Sequence, residues 1–133
     1  MLNVDMLLNG HARTTSVIYF RGGVVPAGFE YDGMSIPRLF WSIAGHPFQG
    51  RGMRAGAIHD YLYSIDHLYA YSNVPTARTR RQCDRILYIE LLIANRRYYR
   101  ANPAFFILRK IADCRCYVKY LAVRMFGWRY FRK

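Results

Sequence analysis

The sequence predicts an α+β protein that is mostly α, with a small N-terminal β-hairpin or meander and a long ordered loop followed by three helices. Three features carry this expectation. Short β-prone segments near the start are broken by glycine turns, glycine and proline crowd the stretch that follows, and from about Met53 apolar residues recur with helical spacing.

Taken in order, Met6 to Leu8, Ser16 to Phe20 and Gly23 to Val25 are β-prone, and Asn9-Gly10 and Gly22-Gly23 separate them as turns. Residues 1–25 are therefore the β-rich start. From Pro26 to Gly56, Pro26, Gly28, Gly33, Pro37, Gly45, Pro47, Gly50 and Gly52 predict a long ordered loop, which we bound at 26–52. Helices are predicted over Met53 to Tyr71, Thr76 to Tyr99 and Ala104 to Phe126, with breaks at Asn73-Val74-Pro75 and Asn102-Pro103. Thr76 is the expected cap of the second and Pro103 the expected start of the third. The short Ser72 to Pro75 connection lets the first two helices, within 53–99, pack antiparallel, and 103–133 is a basic amphipathic end.

At 133 residues and 53% hydrophobic, the chain suits one domain with one core. Twenty Lys and Arg against eight Asp and Glu give a net charge of +12, which favours anionic lipid or, non-specifically, nucleic acid. Aromatic content of 17%, mostly Tyr, suits a headgroup layer and base stacking alike. Cys83, Cys114 and Cys116 form an odd set with two thiols one residue apart on a helix, so a disulfide framework is not expected. Without a signal-like start or an apolar run of membrane-spanning length, the expectation is folding in the cytoplasm that makes it, with no export route of its own.

The chemistry gathers at Ala57-Ile58-His59-Asp60-Tyr61-Leu62-Tyr63. His59 and Asp60 point about 100° apart on a helix, so one can act as base while the other binds an ion. Tyr63 lies one turn after His59, where a phenol can donate to a carboxylate on a neighbouring helix. Asp84 is the obvious carboxylate, and antiparallel packing brings it level with His59, whose tautomer it would fix. Calcium needs several oxygen ligands: Asp60 and Asp32 offer carboxylates and Gly33 a main-chain carbonyl. A bland alternative is a satisfied structural His-Asp pair, and His46 in Gly-His-Pro is the extra ligand if a transition metal binds instead.

The order Asp32-Gly33-x-Ser35 with nearby Pro37, then His59-Asp60-x-x-Tyr63, then Asp84 within Cys83-Asp84-Arg85, resembles the prokaryotic branch of secreted phospholipase A2. That resemblance covers about Asp32 to Arg85 and implies paired catalytic helices. It also implies that His59 activates water, that Asp84 orients His59, and that calcium held by Asp32, the Gly33 carbonyl and Asp60 polarises the ester. Cysteines usual in that family's ion loop and before its His-Asp pair are replaced here by Met34 and by Ala57-Ile58, so the disulfide that staples the loop is missing. More widely, Val25-Pro-Ala-Gly-Phe with Asp32-Gly33-x-Ser35-Ile-Pro-Arg38, the Ala57 to Tyr63 run and Ala122-Val-Arg124-x-Phe-Gly127 are similar to small proteins of tailed bacteriophages and prophages.

Three function classes follow. The first is a phage-derived, calcium-dependent phospholipase A2-like hydrolase acting on anionic membranes through water activated by His59. The second is a silent virion or tail-associated protein, structural or membrane-docking, with other virion proteins as partners. The third is a phosphohydrolase with His46, His59, Asp60 and Asp84 around a transition metal.

Overall fold

The computed structural model describes residues 4–32, 52–64, 79–100 and 103–131. The architecture is α+β: short antiparallel strands, then three helices. The strands are β1 (Val4–Met6), β2 (Ala12–Thr14), β3 (Ile18–Phe20), β4 (Gly23–Val25) and β5 (Glu30–Tyr31), in a three-stranded sheet ordered β1-β2-β5 and a separate β3-β4 ribbon. The helices are α1 (Met53–Tyr63), α2 (Arg80–Tyr99) and α3 (Phe106–Phe126), the last entered through a 3₁₀ turn at Pro103–Phe105.

β4 has the expected bounds, whereas β3 is shorter than Ser16 to Phe20 and the first strand lies at Val4–Met6 rather than Met6 to Leu8. The shift has a local cause. Leu7 to Gly10 is consumed by the turn, where the Gly10 amide donates to the Leu7 carbonyl at 3.0 Å and Gly10 takes a φ of 82° that few other residues tolerate. Val4 then faces Thr14 and Met6 faces Ala12. β2 and β5 were not expected as strands. β2 alternates, with Ala12 and Thr14 buried and Arg13 exposed, and Arg13 pairs with Glu30 opposite it at 3.5 Å. The buried Thr14 hydroxyl donates to the Pro26 carbonyl at 2.9 Å and accepts from the Phe29 amide at 3.0 Å, pinning the start of the glycine-rich stretch to β2.

α1 is buried nearly all round, with Ala55, Ala57, Ile58, Tyr61 and Leu62 in the core beside Ala12, Ile18, Val25 and Tyr31 from the strands. Full burial of a side chain such as Ile58 or Leu87 is worth about 1.5–3 kcal/mol. α1 stops at Tyr63 because Ser64 turns extended, with its amide bonded back to the Asp60 and Tyr61 carbonyls. The expected continuation to Tyr71 falls on residues 65–78, outside the described residues, as does Thr76. The cap of α2 is Thr79: its hydroxyl accepts from the Gln82 amide, and the Gln82 side chain accepts from the Thr79 amide.

Cross-links between helices fix their directions. Arg54 meets Glu90, His59 meets Asp84 and the Leu62 carbonyl meets Cys83, so α1 and α2 run antiparallel. Asn95 meets Asp113 and Cys116 while Asp84 meets Arg124, so α2 and α3 do too. Arg54 also donates to the Tyr19 carbonyl at 2.6 Å, tying α1 to the ribbon. The three cysteines form no disulfide; Cys83 and Cys116 are buried and Cys114 is exposed.

Candidate functional site

Three helices converge on Asp84. Its side chain sits in the first third of α2 with no solvent exposure, against an equally enclosed His59 in the middle of α1. His59 Nε2 lies 3.0 Å from Asp84 Oδ1. The Tyr63 hydroxyl, one turn further along α1, donates to the same oxygen, and its ring lies against the imidazole with 4.0 Å between centroids. The other oxygen, Oδ2, accepts from Arg124 Nη1 of α3 at 2.7 Å. The Arg124 carbonyl in turn accepts from Arg80 at 2.9 Å, so the first turn of α2 holds the end of α3 that supplies the guanidinium.

The electrostatics follow from this packing. Burial pushes the Asp84 carboxyl up, but His59, Tyr63 and Arg124 outweigh it and hold the group below the ordinary carboxylate value, in its anionic form. Burial works against a charged His59, and the carboxylates of Asp60 and Asp84 overcome it to raise the imidazole above its usual value. Burial, then the anion beside it, drives the Tyr63 phenol up, so it stays a donor. An anionic carboxylate at Nε2 requires a proton there. Neutral His59 therefore has its lone pair at Nδ1.

That second nitrogen faces the other half of the site. Nδ1 lies 3.6 Å from Asp60 Oδ1, too far for a hydrogen bond, and among the described residues neither Nδ1 nor Asp60 Oδ2 has a hydrogen-bond partner though both are buried. Burial lifts the Asp60 carboxyl to about 7, His59 counteracts it, and the neighbouring negative charge of Asp32 adds to the rise. An imidazole lone pair and two crowded carboxylates thus share one region, at the point where the chain leaves Asp32 for residues 33–51.

The structure brings His59, Tyr63 and Asp84 together, and Asp60 and Asp32 beside them. Gly33 and His46 lie outside the described residues. Among the described residues no group of three or more His, Cys, Asp or Glu side chains is placed to hold a metal ion. Asp32 and Asp60 fit a hard cation in kind: both are carboxylates, the oxygen ligands such an ion takes in a shell of about six to eight. Asp60 has a buried oxygen with no hydrogen-bond partner among the described residues and a carboxyl raised by burial, both of which a bound dication would relieve. Sequence reasoning passed over Arg124, which reads there as one more cation on a basic helix. Its place in the Ala122 to Gly127 run was the available signal.

The model of the family described as Protein of unknown function (DUF1353) matches residues 13–107. That span contains Asp32, His59, Asp60, Tyr63 and Asp84 but ends before Arg124. The chain is 57% identical over 38 residues to "Uncharacterized protein y4jT" of Sinorhizobium fredii (strain NBRC 101917 / NGR234), a match covering 29% of this chain and 11% of that relative's length. No solved structure matches.

Proposed function

The chain belongs to the family described as Protein of unknown function (DUF1353), and from its own residues we propose that it is a calcium-dependent, phospholipase A2-like ester hydrolase of phage origin that acts on anionic phospholipid membranes. One observation carries the reading: His59 is held by Asp84 through Nε2 at 3.0 Å while Nδ1, beside Asp60, has no hydrogen-bond partner among the described residues. A general base needs that asymmetry, one nitrogen fixed and the other free to take a proton. The phage origin rests on the resemblance of the Val25 to Arg38, Ala57 to Tyr63 and Ala122 to Gly127 segments.

In this reading Asp84, anchored by Tyr63 and Arg124, keeps the Nε2 proton in place and stabilises the imidazolium that forms. His59 Nδ1 takes a proton from water as the water oxygen bonds to the ester carbonyl carbon. The proton then passes to the departing alkoxide as the carbon–oxygen bond breaks, leaving a fatty acid and an alcohol. Asp32 and Asp60, with the Gly33 carbonyl, would hold calcium, which when bound supplies a Lewis acid for the carbonyl and a counter-charge for the phosphate.

The test is fatty-acid release from anionic phospholipid vesicles with millimolar calcium or with chelator. Calcium-stimulated release that falls by roughly a thousandfold or more in His59→Ala, the scale of losing a general base with its activated water, supports the reading. No release at millimolar calcium overturns it. A second reading, a silent virion-associated platform, is favoured by the complete enclosure of His59. It expects His59→Ala to leave purified particles assembled and infectious.

A further inference from the structure

We propose that the elbow joining α2 to α3 is a membrane-insertion tip that docks the protein on anionic lipid, separate from the buried His59–Asp84 site. Tyr98, Phe105, Phe106, Ile107, Leu108 and Ile111 are all exposed, Ile107 and Tyr98 at 71% and 64%. Phe105 to Leu108 are successive residues, so exposed apolar side chains surround most of the turn by which the chain enters α3 instead of forming a stripe against the core. A helix start with so much outward apolar surface is out of place in water, and a contiguous patch of this kind marks an interface.

The rings are in contact: Tyr98 packs on Tyr99 at 5.0 Å between centroids and Tyr99 on Phe105 at 6.4 Å. Around them stand Arg96, Arg97, Arg100, Arg109 and Lys110, and no acid occurs in the sequence between Glu90 and Asp113. Arg109 and Lys110 both lie over the Phe106 ring, at 5.6 and 5.5 Å from its centroid. Aromatic and aliphatic side chains ringed by cations, with no acid in the neighbouring sequence, complement a bilayer whose acyl boundary lies beneath phosphate. The row continues along the outer side of α3 through Leu121 and Met125, both exposed, while Cys116 and Val123 of the same helix face the core.

Along α2 the elbow stands roughly 20 Å from Asp84, at about 1.5 Å per residue. Docking therefore needs neither an open site nor calcium. The partner named here is that of the hydrolase reading, but the surface is independent of its chemistry.

The experiment is co-sedimentation with vesicles of equal phosphatidylglycerol and phosphatidylcholine, and with phosphatidylcholine alone, in the presence of chelator so that no hydrolysis intervenes. The full chain is expected on the mixed vesicles and not on the zwitterionic ones. The triple variant Phe106→Ser, Ile107→Ser, Ile111→Ser should weaken partition by roughly a hundredfold, with an unchanged circular dichroism spectrum to show that it folds. Arg96→Gln and Arg97→Gln should each cost roughly fivefold. Unchanged partition of the triple variant overturns the proposal. So does a protein that ignores both vesicles and runs as an oligomer dissolved by the same substitutions, which would make the elbow a protein–protein surface. Binding without fatty-acid release in calcium would retain the docking surface and remove the hydrolase.

Discussion

Asp60 carries a carboxyl displaced far from its ordinary value. Burial, opposed by His59 and reinforced by Asp32, lifts its carboxyl from 3.8 to about 7. The folded chain keeps this proton up to about pH 7 while the unfolded chain gives it up near 3.8, so the native state binds more protons across that window and stability falls as pH rises through it. Thermal denaturation across the window is expected to show a loss on the order of 2–4 kcal/mol, a slope that Asp60→Asn flattens and that calcium offsets at its alkaline end. A parent protein whose stability is flat or rises with pH there would show that Asp60 is not enclosed as described. The sequence made Asp60 and His59 visible, because a His-Asp doublet on a helix with Tyr one turn later is a short-range pattern. It could not reveal the crowding of Asp60 by Asp32, which depends on where β5 delivers the chain.

At the scale of elements, the end of α3 closes against α1. A Cβ placed on Gly127 would stand 2.7 Å from the Tyr63 hydroxyl and 3.2 Å from Val123 Cγ1, so the absence of a side chain there lets Tyr63 reach Asp84. Gly127→Ala is expected to cost about 1–3 kcal/mol in urea denaturation, the range for overpacking. Adding Tyr63→Phe should recover part of that loss, since it removes the crowded oxygen; strictly additive losses would mean the two do not meet. The helix periods were legible because apolar spacing reports them directly, and the antiparallel direction of α1 and α2 agrees with the expectation, although the Ser72 to Pro75 connection from which it was argued lies outside the described residues. Arg124 was not, since its role comes from a contact 40 residues away in the chain. The cap of α2 was misplaced at Thr76 although Thr79-x-x-Gln82 carries the reciprocal capping pattern. β2 escaped notice because Ala12-Arg13-Thr14 holds a single β-branched residue and no aromatic, and β5 because two residues offer no alternation to count.

For the whole molecule, a net charge of +12 spread over 133 residues makes the folded state repel itself. Raising ionic strength from low to moderate is expected to stabilise it against urea, because screening relieves repulsion among exposed cations more than it weakens the enclosed Asp84 pairs. A lower midpoint on adding sodium chloride would instead assign the leading role to exposed ion pairs such as Arg13–Glu30. No helix among the described residues is long and apolar enough to cross a membrane. The clamp of Arg124 on Asp84 also has a bearing on biosynthesis. α1 and α2 emerge from the ribosome first, and until the last turn of α3 follows, they carry a carboxylate whose second oxygen lacks the guanidinium that holds it in the folded chain. The site is thus finished late, and a nascent chain stalled before that turn would hold its histidine poorly and be an early target for proteolysis.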